Sequence, residues 1–316
     1  MRIHIPCALL ATMGVALLAA SCGSAATPRS PGTTVAVGGA TSTSSTAQPA
    51  GGHGKVAVFY AGSLADLMEQ HVGPAFTKAA GYRFQGFAGG SDALANEIKG
   101  KVRRADVFVS ASPKPDLALE GQANGGWVTW YATFATSPLL VAYDPHGRFA
   151  SQLESKPWWQ VVTEPGFRLG RTDPKLDPKG ALIVKALDQA AVAHHDPALA
   201  RLAQASSGVF PEEELVGRLE AGQLDAGFFY SVESAAARPE LPTVSISPIR
   251  VGATYTITVP RGAPDPAGAL TFVKYLLGAG ERPTLASAGL HETTPTVSGD
   301  RAAVPAGLHQ ALSVTG

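Results

Sequence analysis

Three short apolar runs near the start of the folded part of this chain each end in a loop of small polar residues. This arrangement constrains the fold more than any other feature of the sequence. The runs and their loops are 56–60 with Gly62-Ser63, 82–87 with Gly90-Ser91, and 105–109 with 110–112. Apolar residues recur at helical spacing after the first two loops. Strands that alternate with helices predict an α/β fold with a parallel sheet.

The rest of the chain continues with strands and helices in the same manner. Beyond Thr136 we expect the chain to enter a second lobe. The runs predicted to be strands are 139–143, 167–171, 225–230 and 255–259. Residues 244–249 are predicted to return the chain from the second lobe to the first. The segments read as helices are 181–194, 212–221, 267–277 and 281–289. The sequence therefore predicts strands and helices up to its C-terminal region.

Composition limits the classes of protein that need to be considered. The chain has 316 residues, of which 25 are Lys or Arg and 25 are Asp or Glu. A nucleic-acid-binding protein would carry an excess of positive charge, so this balance argues against one. About 260 residues remain once a leader and a linker are set aside, which is enough for one large or two medium domains.

The N-terminus has the features of a secretory signal. Arg2 precedes the apolar run 3–20, and small residues lead to Cys22. A cysteine after small residues resembles a bacterial lipobox, so we predict a signal peptide at 1–21 and a lipid on Cys22. The alternative is an ordinary signal peptide with an incidental cysteine, which also predicts export. Residues 22–54 would then be the lipidated N-terminus and a disordered linker, because their small and polar composition cannot form a core.

The two cysteines of the chain, Cys7 and Cys22, both lie in this leader region. The folded part is therefore predicted to contain no disulfide and no cysteine metal site, and a thiol enzyme is excluded.

The loops after the first strands are candidates for anion binding. In open parallel sheets ligands bind beyond the carboxyl ends of the strands, where the N-termini of helices point. Ser63 and Ser91 would lie at or next to helix N-caps, each with a hydroxyl and a backbone N–H to donate. Simple helix capping by serine is the alternative, and the repetition of the Gly-Ser pair favours an anion site.

The second half of the chain offers a matching set of residues. Asp177 precedes a predicted helix that Gly180 opens, and Tyr230 ends a predicted strand. Ordinary turn and capping geometry explains the Asp-Pro pairs equally well. Tyr230 is either an anion donor or a half-buried tyrosine, and Arg171 either contacts the ligand or forms a structural salt bridge.

Six segments resemble the periplasmic molybdate/tungstate-binding proteins, above all the tungstate-type branch. They follow in the family's order with natural spacing, from about Val56 to the C-terminal helices. The segments are 59–64 (FYAGSL), 90–98 (GSDALANEI), 105–112 (ADVFVSAS), 130–137 (WYATFATS), 170–180 (GRTDPKLDPKG) and 219–232 (LEAGQLDAGFFYSV).

The resemblance implies a type II periplasmic-binding-protein fold, in which two α/β lobes with two crossovers enclose a ligand cleft. Lobe 1 would comprise 55–136 and 250–316, and lobe 2 would comprise 137–249. The implied function is high-affinity binding of molybdate or tungstate and delivery to the permease and ATPase of an ABC importer. No cofactor is implied. We expect an exported, lipid-anchored monomer on the outer side of the cell membrane that binds no nucleic acid.

The resemblance also implies the ligand-binding residues. They are Ser63, Ser91, Thr136, Ser137, Asp177, Gly180 and Tyr230. Asp177 is in addition the candidate for direct coordination of the metal atom of the oxyanion. The tungstate-type branch carries a glutamate where this chain has Phe229, so one of two coordinating carboxylates is absent. Glu233 is near in sequence, and both tetrahedral and six-coordinate binding stay open.

Two other functions remain possible from the sequence. One is a binding protein for another oxyanion, such as sulfate. The other is a hydrolase of phosphorylated or sulfated substrates, since glycine-rich loops at helix N-termini suit that chemistry too. The chain has no Gly-x-Ser-x-Gly elbow, no His-Glu-x-x-His pair and no Walker loop, so we predict that it is not an enzyme.

Overall fold

The computed structural model describes residues 54–237 and 240–314, which all belong to one compact unit within Gln48–Gly316. The predicted signal peptide, Cys22 and the linker up to residue 53 lie outside the described residues. In the part of the chain that is described, no helix is long and apolar enough to cross a membrane.

The described residues form strands, helices and short helical turns. The strands are β1 (Lys55–Ala61), β2 (Arg83–Gly89), β3 (Val107–Ser110), β4 (Trp130–Tyr143), β5 (Leu169–Gly170), β6 (Ala226–Tyr230), β7 (Thr243–Ser245), β8 (Gly252–Thr258) and β9 (His291–Gly299). The helices are α1 (Gly73–Ala80), α2 (Ser91–Lys99), α3 (Pro113–Leu117), α4 (Ala150–Ser155), α5 (Trp158–Val161), α6 (Pro178–His194), α7 (Pro197–Gln204), α8 (Leu215–Glu220), α9 (Ser231–Ala236), α10 (Pro266–Leu276) and α11 (Arg282–Ser287). Single-turn 3₁₀ segments are Gly62–Leu64, Gln122–Asn124, Glu212–Glu214, Arg301–Ala303 and Ala306–Leu308, and Leu67–Val72 is π-helical.

The strands form one sheet in the order β2-β1-β3-β8-β4-β6-β5, with β7 and β9 also paired to β4. Strand β4 is shared by two parts of this sheet. Its N-terminal half pairs with β8 and β9, and its C-terminal half pairs with β6 and β7. We call β1, β2, β3, β8, β9 and the first half of β4 the first sheet half. The second half of β4 with β5, β6 and β7 is the second sheet half.

Apolar patterning explains why the first strands form where they do. Residues Val56, Val58 and Phe59 of β1 are all fully buried, as expected of a strand covered on both faces. Helix α1 ends at Ala80 and is followed by Gly81, whose φ of 71° is left-handed and is readily adopted by glycine. Strand, loop and helix therefore follow each other within short segments, which places the loops at one edge of the sheet.

One apolar core joins the two sheet halves. The largest buried cluster includes Val58 of β1, Trp130 of β4, Phe228 of β6, Ile183 of α6 and Phe272 of α10. The two sheet halves are thus continuous both through β4 and through the packing of their side chains.

The predicted α/β class is confirmed, and so is the parallel arrangement of the first three strands, although the sheet as a whole is mixed. Strands β1, β2 and β3 are parallel, and so are β5 and β6. Strand β8 runs antiparallel to β3, and β4 runs antiparallel to all of its neighbours. Apolar periodicity identifies a strand but contains no information on its direction, which depends on the path of the connecting chain.

Candidate functional site

The two serines of the first loops lie where the sequence predicts, at the carboxyl ends of β1 and β2. Ser63 is in the turn after β1, and Ser91 is the first residue of α2. Neither side chain caps a helix. The Ser63 Oγ lies 2.9 Å from the Tyr255 hydroxyl, and the Ser91 Oγ accepts a 3.1 Å hydrogen bond from the Ala111 N–H. Capping therefore does not explain these two serines.

Thr136 and Ser137 are consecutive on β4, so their side chains point to opposite faces of the strand. The Ser137 Oγ is 2.8 Å from the Ser231 Oγ and accepts a hydrogen bond from the Val232 N–H at 3.1 Å. It thus joins β4 to the start of α9. Thr136 is half-buried and paired with Thr254 of β8. The structure brings Ser137, but not the side chain of Thr136, to the junction with α9.

The start of α6 contains two of the predicted residues. Asp177 is the N-cap, and its Oδ1 accepts a hydrogen bond from the Lys179 N–H at 2.8 Å. Gly180 packs against the loop before the helix, and a Cβ on it would lie 2.6 Å from backbone atoms of residues 172–174. The absence of a side chain on Gly180 thus allows the helix to approach this loop.

A buried charged cluster that the sequence analysis missed lies next to these residues. It consists of Lys179, Glu212 and Glu233. The Lys179 Nζ is 2.6 Å from Glu233 Oε1 and 3.4 Å from Glu212 Oε1, and none of the three side chains is more than 4% exposed. Glu233 also accepts a 2.8 Å hydrogen bond from the Tyr230 N–H through its other oxygen.

Two tyrosines connect this cluster with Ser63. The Tyr230 and Tyr255 rings meet edge to face with centroids 6.3 Å apart, and Tyr255 contacts Ser63. The Lys179 Nζ lies 5.5 Å from the centroid of the Tyr230 ring and 5.5 Å from that of Phe229. Among the described residues the fully buried Tyr230 hydroxyl has no hydrogen-bond partner. Such a donor is available to a ligand.

Burial dominates the ionisation of the carboxyl groups at this site. Burial and the nearby Glu212 raise the pKa of Asp177 to about 8. Burial raises the pKa of Glu212 to about 7 against the opposing effect of Lys179. Burial by itself would lower the pKa of Lys179, but Glu233, Glu212 and Asp177 hold it above its usual value. Near neutral pH the cluster therefore contains a charged ammonium and carboxyl groups that take up protons easily.

Glu212 lies between two cavities. One, of about 430 Å³, is lined by Gly62, Ser63 and Glu233 among others, and Glu212 is part of its wall. The other, of about 440 Å³, is lined by Gly90 and Asp177, again with Glu212. Together, the walls of the two cavities include residues of the first loops and the N-cap of α6.

Arg171 does not belong to this group. Its guanidinium donates to the carbonyl oxygens of Ala203, Ala205 and Ser207, at 3.3, 2.6 and 2.9 Å. The structural salt bridge, one of the two roles expected from the sequence, is not found, since within the described residues Arg171 binds backbone carbonyls rather than a carboxylate.

The candidate site residues that could not be predicted from the sequence had weak signals. Lys179 stands between Asp177 and Gly180, and a lysine in a helix first turn is normally solvated. Tyr255 lies in an alternating strand, and Glu212 begins a run of three glutamates. Only the tertiary fold shows that these three side chains converge.

The donors and acceptors of this site suit an oxyanion better than a metal cation. Within residues 54–237 and 240–314 no group of three or more His, Cys, Asp or Glu side chains is arranged to hold a metal ion. Hydroxyls of Ser63, Tyr230 and Tyr255 and the ammonium of Lys179 are instead hydrogen-bond donors. The arrangement can bind and enclose a small anion.

Sequence comparison connects the chain with proteins that bind solutes. The profile of bacterial extracellular solute-binding proteins matches residues 56–291. A putative ABC transporter molybdenum-binding protein of Haloferax volcanii is 30% identical over 248 residues, which cover 78% of this chain and 74% of that protein. The molybdate/tungstate-binding protein WtpA of Thermococcus kodakarensis is 23% identical, with 70% of this chain and 77% of that protein covered.

Solved structures show the same fold. The periplasmic molybdate-binding protein of Azotobacter vinelandii superposes with a TM-score of 0.57 at 18% identity, covering 75% of this chain and 98% of that chain. The sulfate-binding protein SubI of Mycobacterium tuberculosis gives a TM-score of 0.57 at 15% identity, covering 82% of this chain and 91% of that chain. The predicted type II periplasmic-binding-protein fold is thereby confirmed.

Proposed function

The chain belongs to the family of bacterial extracellular solute-binding proteins, and we propose that its solute is molybdate or tungstate. It delivers this oxyanion to the permease and ATPase subunits of an ABC importer. The names of the similar proteins from Haloferax and Thermococcus support this ligand. The role is binding and release of the solute without chemical change.

The observation that carries the proposal is the buried set of donors between the two sheet halves. Ser63 and Tyr255 come from the first sheet half, whereas Tyr230 and the start of α6 belong with the second. A buried anion needs several donors, because each one replaces hydrogen bonds that the ion loses with water. Ser91, Ser137, Thr136, Asp177 and Gly180 remain proposed members of the site.

The two sheet halves would act as the two lobes of the binding protein. Lobe 1 is proposed to comprise 55–136 and 250–316, and lobe 2 to comprise 137–249, with the ligand enclosed between them. A hydrogen bond from the Ala93 N–H to the Leu176 carbonyl, at 3.0 Å, already joins the start of α2 to the loop before α6. Contacts of this kind would hold the lobes closed around the ligand.

The proposal also includes a place for the protein at the cell surface. The family acts outside the cytoplasm, and a lipid on Cys22 would keep the monomeric protein at the outer side of the membrane near its importer. Residues 23–54 would provide the flexible tether. Mass spectrometry of the membrane fraction tests this, since an unmodified Cys22 or its removal would contradict it.

Isothermal titration of the chain from Gln48 with molybdate, tungstate, sulfate and phosphate tests the function. We expect tight binding of molybdate and tungstate and far weaker binding of sulfate and phosphate. A ligand cavity that fits the larger ions would distinguish ions of equal charge by their size. Ser63→Ala should weaken binding by about 1–3 kcal/mol, since the anion loses a buried donor. Ser151→Ala, at an exposed position of α4, is the control. Equal affinity in Ser63→Ala and the wild type would contradict the site.

One observation favours a second candidate ligand of the same class. Asp177 and Glu212 are buried carboxyls, and above their raised pKa values of about 8 and about 7 each could accept the proton of a hydrogen phosphate-type oxyanion. Fully deprotonated molybdate offers no such proton at neutral pH. Phosphate binding stronger than molybdate binding in the same titration would favour this candidate and keep the fold and the site.

A further inference from the structure

The charged cluster of Lys179, Glu212 and Glu233 has no part in the neutral-donor site that the sequence predicts. Lys179 is fully buried, and its ammonium is the one cation with which these two carboxylates pair in the described structure. A buried ammonium that is held by carboxylates is expensive to maintain, because each charge loses its hydration. Its position beside Tyr230 suggests a reason for keeping it.

We propose that Lys179 is a ligand-binding residue that selects the oxyanion by its charge, and that Glu212 is the internal anion which the ligand displaces from it. This deepens the proposed function and rests on it. Glu233 is the positioning residue, since its short 2.6 Å contact fixes the ammonium while its second oxygen is held by the Tyr230 N–H.

Geometry distinguishes the two glutamates. Glu233 is tied at both oxygens, to Lys179 and to the backbone at Tyr230. Glu212 is held less tightly: its Oε1 is 3.4 Å from the Lys179 Nζ, against 2.6 Å for Glu233, and its other stabilising contact is with the backbone of Gly62. The more weakly held carboxylate is the one that an incoming anion can replace.

The surroundings of Glu212 also permit such a movement. The residue lies in the short turn Glu212–Glu214 rather than inside a long helix, and it forms part of the wall of both cavities. The cavity of about 430 Å³ beside it offers space for the displaced carboxylate. Lys179 would then keep Glu233 on one side and gain the oxyanion on the other.

Ligand charge gives a direct way to test this mechanism. Perrhenate is tetrahedral and close to tungstate in size, but it carries one negative charge instead of two. The interaction of an anion with Lys179 or Glu212 is proportional to the charge of the anion, whereas hydroxyl donors and cavity size act on both ions similarly. Replacement of a residue that selects by charge must therefore change the ratio of the tungstate affinity to the perrhenate affinity.

The experiment measures dissociation constants of tungstate, molybdate, sulfate and perrhenate by titration calorimetry for four proteins. They are the wild type, Glu212→Gln, the double variant Lys179→Met with Glu233→Gln, and Glu213→Gln. Glu213 is the exposed neighbour of Glu212 in the same turn and wall, so Glu213→Gln is the matched control. The double variant removes both partners of the tight pair. Glu212 then loses its cation but can take up a proton, because burial raises its pKa to about 7. Thermal unfolding shows whether each variant is folded.

We expect Glu212→Gln to strengthen dianion binding and to change perrhenate binding less. The double variant should weaken dianion binding by about 10- to 100-fold, the usual loss for a charged hydrogen bond, with a smaller loss for perrhenate. Glu213→Gln should leave the ratio unchanged. Should the double variant fail to fold, Glu212→Gln decides alone.

Equal changes for dianions and perrhenate would overturn the proposal, as would weaker dianion binding in Glu212→Gln. Tight wild-type binding of tungstate or molybdate together with either result leaves the proposed function standing and rejects only the charge selection. Binding of sulfate and perrhenate without tungstate or molybdate would reject the proposed ligand, and the ratio of sulfate to perrhenate affinity would then test Lys179. A wild type that binds none of the four ions contradicts both.

Discussion

The buried carboxyl groups next to Lys179 make the stability of the protein depend on pH. Asp177 is 2% exposed and Glu212 is 3% exposed, and burial raises the pKa of both. An acid whose pKa is raised by folding stays protonated in the folded state while the unfolded chain releases the proton. Rising pH therefore favours the unfolded chain between the two pKa values.

Replacement of Asp177 by asparagine tests this linkage. Asparagine caps helices as well as aspartate does, so Asp177→Asn should keep α6 intact while removing the ionisation. The pKa of Asp177 is about 8 in the fold against an ordinary value of 3.8. Between pH 5 and pH 8 the wild type should lose unfolding free energy relative to the variant, by up to about 1.4 kcal/mol per pH unit.

Urea unfolding of both proteins at pH 5, 6.5 and 8, without oxyanion, measures the effect. Asp173→Asn is the control, because Asp173 accepts a similar hydrogen bond from Lys175 two residues later but lies in a more exposed turn. Stabilities of wild type and Asp177→Asn that change in parallel with pH would contradict the raised pKa.

At the residue scale, the positions of the candidate hydroxyl groups could be predicted from the sequence, whereas the pairing of the buried charges could not. Ser63 and Ser91 lie at the loop positions that their Gly-Ser pairs indicate, because such loops are local features of strand and helix ends. Lys179, Glu212 and Glu233 come together from three segments separated by more than fifteen residues. A single sequence shows no sign of such a pairing, since each residue alone is typical of a solvated surface.

The start of α6 is the element on which the site most depends, since it holds both Asp177 and Lys179. Gly180 allows this helix to pack against the loop 172–174, where an added Cβ would come within 2.6 Å of backbone atoms. We expect Gly180→Ala to lower the unfolding free energy by about 1–3 kcal/mol, because a well-packed interior must shift to admit the methyl group.

Gly217→Ala provides the matched control within another helix. A Cβ on Gly217 of α8 has no heavy atom within 4 Å, so this change should stabilise the protein by about 0.5–1 kcal/mol through helix propensity. Urea unfolding of both variants gives the comparison. Equal effects of the two substitutions would show that the close approach at Gly180 does not constrain α6.

At the element scale the strands of the first sheet half were the easiest to predict. Strand β1 is found at Lys55–Ala61, close to the predicted run at 56–60, because a continuous apolar run between turn residues is a strong local signal. Strand β9 was not predicted, since most of its residues are exposed and its sequence has no apolar alternation. Of strand β4, only 139–143 was predicted as a strand, whereas Trp130–Tyr143 is one strand of 14 residues.

At the scale of the whole molecule, the long strand β4 explains how one site can draw residues from both sheet halves. Its first half pairs with β8, which contains Tyr255, and its second half pairs with β6, which ends at Tyr230. The two tyrosines therefore meet where β4 passes from one sheet half to the other. The α/β class followed from local patterns, but this junction depends on strand direction and pairing, which local patterns do not contain.

The central claim is that an oxyanion binds between Ser63, Tyr230 and Lys179. Anomalous diffraction from a crystal of the chain from Gln48 soaked with tungstate locates the tungsten atom directly. We predict one dominant peak within about 5 Å of the Tyr230 hydroxyl, a range set by the W–O bond plus one hydrogen bond. A dominant peak elsewhere, such as the basic pocket lined by Arg103, Arg104 and Arg261, or no peak under conditions where calorimetry shows binding, would contradict the claim.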